Sequence, residues 1–220
     1  MDTTFAPPHA PEPTAALAEL SPEEAACLLA IARAGLAAAV NDVDDAPDLA
    51  QLPPRLREPG ASFVTLTWHG RLHGCIGSVE PQLPLALDVL KNVAGAALRD
   101  PRFPPLASTE VPEVTIEVSV LSPLQALPYR DLADLIRQVR PGVDGVLVAR
   151  DWQRGLLLPQ VWEKLPDPRD FLDHVALKAS ASISIYDDPD TRVWVFQVHS
   201  YHEPRVGGGN GATPPAASGR

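Results

Sequence analysis

The chain has 220 residues, of which 45% are hydrophobic, and it carries a formal net charge of −10 at pH 7. This length can bury a sizeable core in one domain or in two small lobes. An acidic chain is a poor candidate for non-specific binding to nucleic acid or acidic membranes, because both need a basic surface. No apolar run approaches the length of a membrane span. The sequence therefore predicts neither a nucleic acid nor a membrane as a partner.

The first predicted helix begins after a proline-rich segment. Residues 1–19 are rich in Pro, Ala and Thr, and we expect them to be disordered. Ser21 is a good N-cap, Pro22 suits the first helical position, and Glu24 completes a capping box. Apolar residues at helical spacing carry this helix to about Val40.

A hairpin and a second helix come next. Residues 41–61 are acidic and then proline-rich, which is typical of a long connector. Alternating, β-branched residues predict strands at Phe63–Trp68 and Arg71–Ile76, paired as a hairpin. A helix is predicted from about Pro84, and the Asp100–Pro101 step ends it, because the residue before a proline disfavours helical backbone.

The C-terminal half mixes short strands and helices. Strands are predicted at Val111–Leu121, Val146–Ala149, Leu156–Leu158 and Val193–Tyr201, and helices at Asp131–Val139, Gln160–Leu165 and Asp167–Ser180. Ile183–Tyr186 fits either a strand or a loop, and residues 204–220 read as a flexible tail. The hairpins imply antiparallel pairing, so we predict an α+β fold of antiparallel sheets with packed helices, ordered over residues 20–203.

The strongest local signal is the Gly-Cys-Ile-Gly sequence at 74–77. Glycine reaches positive φ at low cost and lets other groups approach the backbone closely. Gly74 and Gly77 on either side of Cys75 therefore predict a bent backbone that presents the thiol, or a bulge that ends a strand.

Several motifs in order resemble the AMMECR1 domain. They are GCIG at 74–77, NVAGAALRDPRFPPL at 92–106, VTIEVSVLSP at 114–123 and GLLLPQVWEKLPDPRDFLDHVALKA at 155–179. The resemblance implies two closely packed lobes in one domain. Prokaryotic members are often labelled AmmeMemoRadiSam system protein A, which implies a Memo-like protein and a radical SAM protein as partners.

The chain departs from the family signature at one position. That signature reads Leu-Arg-Gly-Cys-Ile-Gly, whereas here Leu72 is followed by His73. No role of the family arginine is therefore carried over to this sequence.

Cys75 is the candidate nucleophile. On a strand, His73 would share its face, and the helix that begins near Pro84 would offer a positive N-terminus. Backbone N–H groups at Ile76 and Gly77 would suit an oxyanion. A base or orienting group is left open among four side chains: His73, Glu80, Asp88 and His174. The structural alternative is a tight turn whose cysteine fills a small buried gap.

A polar set on and after the second helix is the candidate binding surface. Asn92, Arg99 and Arg102 would line a pocket beside the cysteine, where arginine suits a carboxylate or phosphate. The alternative is that Arg99 and the Asp100–Pro101 step only stabilise and end the helix.

His174 has an alternative reading as well. It lies four residues from both Asp170 and Lys178, which is also typical of a solvated helix face.

No cofactor or metal is predicted. The sequence has no phosphate-binding glycine loop and no dinucleotide fingerprint. Two groups contain metal-ligand residue types, but their spacings differ from zinc motifs, so surface or hairpin histidines are favoured. The groups are His69, His73 and Cys75, and His199, His202 and Glu203.

Two functions remain open at this stage. The first is a cysteine-dependent enzyme, or one component of an enzyme system, that acts on a small or peptide-like substrate. The second is a non-catalytic binding or scaffold domain. The two cysteines do not suggest a disulfide framework and the N-terminus is unlike a signal peptide, so we expect a cytoplasmic protein.

Overall fold

The computed structural model describes residues 19–43 and 47–203, so the predictions for the two terminal segments lie almost entirely outside the described residues. The helices are α1 (Pro22–Val40), α2 (Pro54–Arg57), α3 (Leu85–Leu98), α4 (Leu132–Gln138) and α5 (Pro168–Lys178). The strands are β1 (Pro59–Gly60), β2 (Ser62–Trp68), β3 (Arg71–Gly77), β4 (Leu83–Pro84), β5 (Val114–Leu121), β6 (Gln125–Ala126), β7 (Gly145–Arg150), β8 (Gln153–Leu157), β9 (Arg192–Phe196) and β10 (Val198–His202).

The first half of the molecule is an antiparallel sheet covered on one face by helices. Its strand order is β10-β5-β2-β3, and α3 packs on β2 and β3 while α1 packs on α3. Alternate residues of the strands, such as Val64, Leu66 and Ile116, are fully buried beneath the helices. The capping box predicted for α1 is confirmed: Glu24 N–H donates to Ser21 Oγ, and Ser21 N–H donates to the Glu24 carboxylate.

The second half is a smaller antiparallel sheet with the order β6-β9-β7-β8. Helix α5 packs on β7 and β8 and contributes Phe171 to the core. The Trp162 ring stacks on Phe171 with ring centroids 3.7 Å apart, and Trp162 Nε1 donates to Asp144 O. Tyr186 is buried, and its hydroxyl donates to Leu172 O.

The two sheets share a polypeptide stretch that was predicted as one strand. The prediction of a continuous strand at Val193–Tyr201 is wrong, because the strand breaks at Gln197 and its two parts join different sheets. Gln197 N–H donates to Ser122 Oγ, and Ser122 N–H donates to Gln197 O. The crossing is packed by an apolar cluster centred on Leu121 and Phe196.

Two further predictions need adjustment, while the fold class is confirmed. The connector 41–61 contains α2 and β1, and β1 pairs with β4 beside the start of α3. Ile183–Asp187 is a 3-10 helix rather than a strand. Antiparallel sheets with packed helices make the molecule α+β, as predicted.

Candidate functional site around Cys75

The Gly-Cys-Ile-Gly sequence is the end of β3, an edge strand, and not a bent loop. A Cβ on Gly74 would lie 2.1 Å from Ala96 O of α3, and one on Gly77 would lie 2.3 Å from the Phe63 ring. Both glycines are therefore needed for close packing. Neither has positive φ, which corrects the expectation of a bent backbone.

An ion pair between buried Asp100 and partly exposed Arg102 closes the edge of β3 at Cys75. Cys75 N–H donates to Asp100 Oδ2 at 2.9 Å, and Arg102 Nη2 donates to Cys75 O at 3.2 Å. Arg102 Nε and Nη2 also donate to the two oxygens of Asp100, at 2.9 and 2.6 Å. Side chains that follow α3 thus satisfy the outward backbone groups that an edge strand leaves unpaired.

The same pair sets the charge state of Asp100. Hydrogen bonds from the Arg102 side chain hold the pKa of Asp100 well below its usual range, although burial acts in the opposite direction. The backbone N–H groups of Cys75 and Arg102 lower it further. Asp100 is only 4% exposed, so this is a buried carboxylate that stays ionised.

The Cys75 thiol points away from α3. Its neighbours Gly74 and Ile76 face the helix, where a Cβ on Gly95 would lie 3.0 Å from Ile76 Cγ2. Alternation along a strand places Cys75 on the opposite face. There, Thr65 Oγ1 lies 3.3 Å from Cys75 Sγ, and the cysteine is half-buried.

Cys75 is one end of a polar row that crosses the sheet. The strand register aligns Cys75 with Thr65, Thr65 with Glu117, and Glu117 with His202. His202 Nδ1 lies 3.6 Å from Glu117 Oε2, and Ser119 Oγ donates to Glu117 Oε1 at 3.2 Å. The open face therefore carries a thiol and hydroxyl at one side and a carboxylate with an imidazole at the other.

His73 lies elsewhere. A bulge in the β2–β3 pairing leaves His73 without a register partner, and its ring packs near Phe103 and near Trp68, a core-side residue. The expectation that His73 and Cys75 share a face is wrong, because the bulge breaks the alternation. His73 is 8% exposed, and its Nε2 has no hydrogen-bond partner in the described part of the chain.

The predicted binding residues serve mainly the packing of α3. Asn92 is buried and donates to Ser62 O and to Asp88 Oδ2. Arg99 is exposed at the C-cap of α3. Since Cys75 turns its backbone groups outward, antiparallel pairing turns those of Ile76 toward β2, so its N–H is not free for an oxyanion.

The four candidate bases are dispersed. Asp88 is buried and accepts hydrogen bonds from Ser62, Ser78 and Asn92. Glu80 pairs with Arg154 at 2.7 Å. His174 is exposed on α5 in the second half, where Nδ1 contacts Asp170 O at 2.8 Å.

A cavity of about 280 Å³ opens beside the end of β3. Its walls come from the segment between β3 and β4, from the first turns of α3, and from β8. The lining residues are Ser78, Val79, Glu80, Gln82, Leu83, Asp88, Lys91 and Arg154. Cys75 is not among them, so the thiol faces the open sheet surface instead of this cavity.

Sequence reasoning missed Thr65 and Glu117 as neighbours of the thiol. It noted His202 only as a metal-ligand type. In the structure, His69 pairs with Glu113 at 2.6 Å and Glu203 pairs with Arg33. Within residues 19–43 and 47–203, no three His, Cys, Asp or Glu side chains are grouped for a metal ion.

The fold and the site define an α+β protein, built mainly on two four-stranded antiparallel sheets, that presents a half-buried cysteine on an open polar face. The chain belongs to the AMMECR1 family, whose model matches residues 29–201. A protein from Methanothermobacter thermautotrophicus is 39% identical over 84% of this chain and 97% of its own length. A protein from Thermofilum pendens is 34% identical over 85% of this chain and 93% of its own length.

A solved structure shares this fold. The crystal structure of the uncharacterized protein PH0010 from Pyrococcus horikoshii superposes with a TM-score of 0.76 at 31% identity, over 84% of this chain and 93% of that one. Among the helices that the structure describes, none combines the length and apolar character that crossing a membrane requires.

Proposed function

We propose that this chain is a cysteine-dependent enzyme of the cytoplasm, with Cys75 as the nucleophile for a small or peptide-like carbonyl substrate. One observation carries the proposal. The backbone of Cys75 is held on both outward groups by Asp100 and Arg102, while its thiol is half-buried on a polar face with Thr65 Oγ1 at 3.3 Å. Reactive cysteines occupy partly exposed, polar surroundings of this kind, whereas structural ones are enclosed by apolar side chains.

The polar row supplies the other groups that the reaction needs. The Thr65 hydroxyl can donate a hydrogen bond to the sulfur and so orient it toward the substrate. The thiol first gives its proton to water. The thiolate then attacks the carbonyl carbon, an S–C bond forms as the bond to the leaving group breaks, and the leaving group takes a proton from water, which gives a thioester. Water then hydrolyses the thioester, which releases the acid and restores the Cys75 thiol, while the Glu117–His202 pair holds the other end of the substrate.

The geometry of the sheet fits such a division of roles. Cys75 and Glu117 lie two strands apart, which is about 10 Å at the usual spacing of strands. A short acyl or peptide chain that lies across β2 spans this distance. The substrate would therefore contact the thiol and the carboxylate at the same time.

A burst experiment with an activated ester tests the proposal. Protein mixed with p-nitrophenyl acetate should release close to one equivalent of nitrophenol in a rapid phase, with the acetyl group on Cys75 by peptide mass spectrometry. Cys27→Ser is the matched control and should keep the burst. A burst that survives Cys75→Ser, or acetylation spread equally over both cysteines, would contradict the assignment.

A non-catalytic docking role is the second candidate, and one observation favours it. Trp152 stands at the β7–β8 turn with 83% of its surface exposed, and Leu72 next to the β2–β3 turn is 46% exposed. Exposed apolar side chains suit a protein partner, and a Memo-like or a radical SAM protein is the partner we propose. Under this alternative, binding to the purified partner is unchanged in Cys75→Ser and weakened in Trp152→Ala.

A further inference from the structure

The cavity beside β3 has a wall chemistry that the proposed reaction does not use. It lies where the two sheets meet, because the 78–83 segment and α3 belong to the first half whereas Arg154 belongs to β8 of the second. At about 280 Å³ it falls just below the range of about 300–1,000 Å³ that holds drug-sized ligands. A cavity of this size fits a molecule smaller than a typical drug.

Two cations and two carboxylates line this cavity. Arg154 pairs with Glu80 at 2.7 Å, and both side chains remain about 40% exposed, so each keeps further hydrogen-bonding capacity. Lys91 is exposed, and within the described residues its ammonium makes no hydrogen bond or ion pair. Asp88 uses Oδ2 for three hydrogen bonds, whereas Oδ1 accepts one, from Ser78 Oγ.

We propose that this cavity binds a small zwitterion, an α-amino acid or a dipeptide. Its carboxylate would pair with Lys91 and Arg154, and its ammonium with Glu80 and the less occupied oxygen of Asp88. A purely anionic ligand would meet the two carboxylates, and a purely cationic one would meet the two cations. A ligand that carries both charges gives Lys91 and Arg154 an anionic partner without bringing an uncompensated charge beside Glu80 and Asp88.

The apolar part of the wall selects the ligand's side chain. Val79 and Leu83 are the hydrophobic lining residues, so an aliphatic side chain gains burial there. Cys75 does not line the cavity. Binding here is accordingly independent of the proposed nucleophile, and either proposal can fail without the other.

Calorimetric titration with three related probes tests the charge requirement. L-leucine carries both charges, L-leucinamide lacks the carboxylate, and N-acetyl-L-leucine lacks the ammonium. L-leucine should bind the full chain measurably, and each capped compound should bind at least tenfold more weakly. If no heat of binding is seen for L-leucine, or if the three compounds bind alike, the proposal is overturned.

Matched variants assign the binding to this cavity. Lys91→Met should weaken L-leucine at least tenfold, since the free ammonium of the site is lost. Lys164→Met is the control, because Lys164 is also exposed but lies outside the cavity lining, and it should bind like wild type. Cys75→Ser should also bind like wild type. Equal affinities for Lys91→Met and Lys164→Met would overturn the placement.

Discussion

Two buried aspartates hold opposite ends of α3 against the first sheet, and each is satisfied in a different way. Asp88, in the first turn, accepts four hydrogen bonds, and all of them come from neutral donors. Asp100, just beyond the last turn, is bound by the Arg102 guanidinium and by Cys75 N–H. They are 2% and 4% exposed, so neither charge is left to solvent.

This difference predicts that the fold depends more strongly on Asp88 than on Asp100. Removing Asp88 leaves several donors buried without an acceptor, and unsatisfied buried groups cost more than the mean hydrogen bond contributes. Arg102, in contrast, has a side chain that is 55% exposed, so water can replace part of what Asp100 offers it. Substitution of Asp100, which contacts Cys75, should therefore destabilise the fold less than substitution of Asp88, which contacts Ser62.

The largest effect is expected from Asp88→Ala. The variant leaves the N–H and Oγ–H donors of buried Ser62 without their acceptor and removes one acceptor each from Ser78 and Asn92, so we expect the free energy of unfolding to fall by about 3–5 kcal/mol. Urea unfolding followed by circular dichroism measures this. Asp48→Ala, which removes an exposed cap, should cost about 0.5–1 kcal/mol. Similar losses of unfolding free energy in Asp88→Ala and Asp48→Ala would contradict the structural importance of Asp88.

Gly74→Ala tests the contact that both anchors maintain. A methyl group 2.1 Å from Ala96 O must push α3 away from β3, and we expect a loss of about 2–4 kcal/mol. Gly70→Ala is the control, because Gly70 has open space around it and φ of +76°. There the left-handed backbone alone should cost about 1 kcal/mol. A smaller loss of stability in Gly74→Ala than in Gly70→Ala would contradict the close packing of α3 on β3.

The third effect concerns pH and the Asp100 anchor. Its pKa is lower in the folded chain than in the unfolded chain, so its contribution is complete above about pH 4. That contribution is lost as the pH falls from there toward the folded value. Asp100→Asn should lose about 1–3 kcal/mol at pH 7 and show a shallower decline of stability between pH 5 and pH 3. If stability falls with decreasing pH equally steeply in wild type and Asp100→Asn, another carboxylate controls the loss of stability in acid.

The smallest effect on stability is expected from Thr65→Val. The exchange keeps the β-branched shape in β2 and removes one hydroxyl, so unfolding should change by less than about 1 kcal/mol. The alkylation of Cys75 should nevertheless slow several-fold, because the sulfur loses its hydrogen-bond donor. Thr67→Val, on the same strand, should leave that rate unchanged.

Local patterns predicted the local structure well. The Ser21–Glu24 capping box, the β2–β3 hairpin and the end of α3 before Pro101 follow from side-chain chemistry within a few residues. The α+β class followed from the presence of both helical spacing and strand-like alternation of apolar residues in the sequence. The break at Gln197 was not predictable in this way, since it depends on Ser122, which is distant in the sequence.

The site was predictable only in part. The glycines around Cys75 predicted a bent backbone, whereas they serve close packing against Ala96 and Phe63, which approach them only in three dimensions. The neighbourhood of Glu117 and His202 depends on the register of β10 on β5, which pairs residues far apart in the chain. The bulge that removes His73 from the thiol's face is likewise a property of pairing, with no local signal.

Native-state alkylation with iodoacetamide at neutral pH tests the central claim most directly. Cys27 provides the internal comparison, because it is also a half-buried free thiol but packs against the main core from α1. Peptide mass spectrometry over time should show carboxamidomethylation of Cys75 several-fold faster than that of Cys27. Equal rates, or a Cys75 that stays unmodified in the folded protein, would contradict the account.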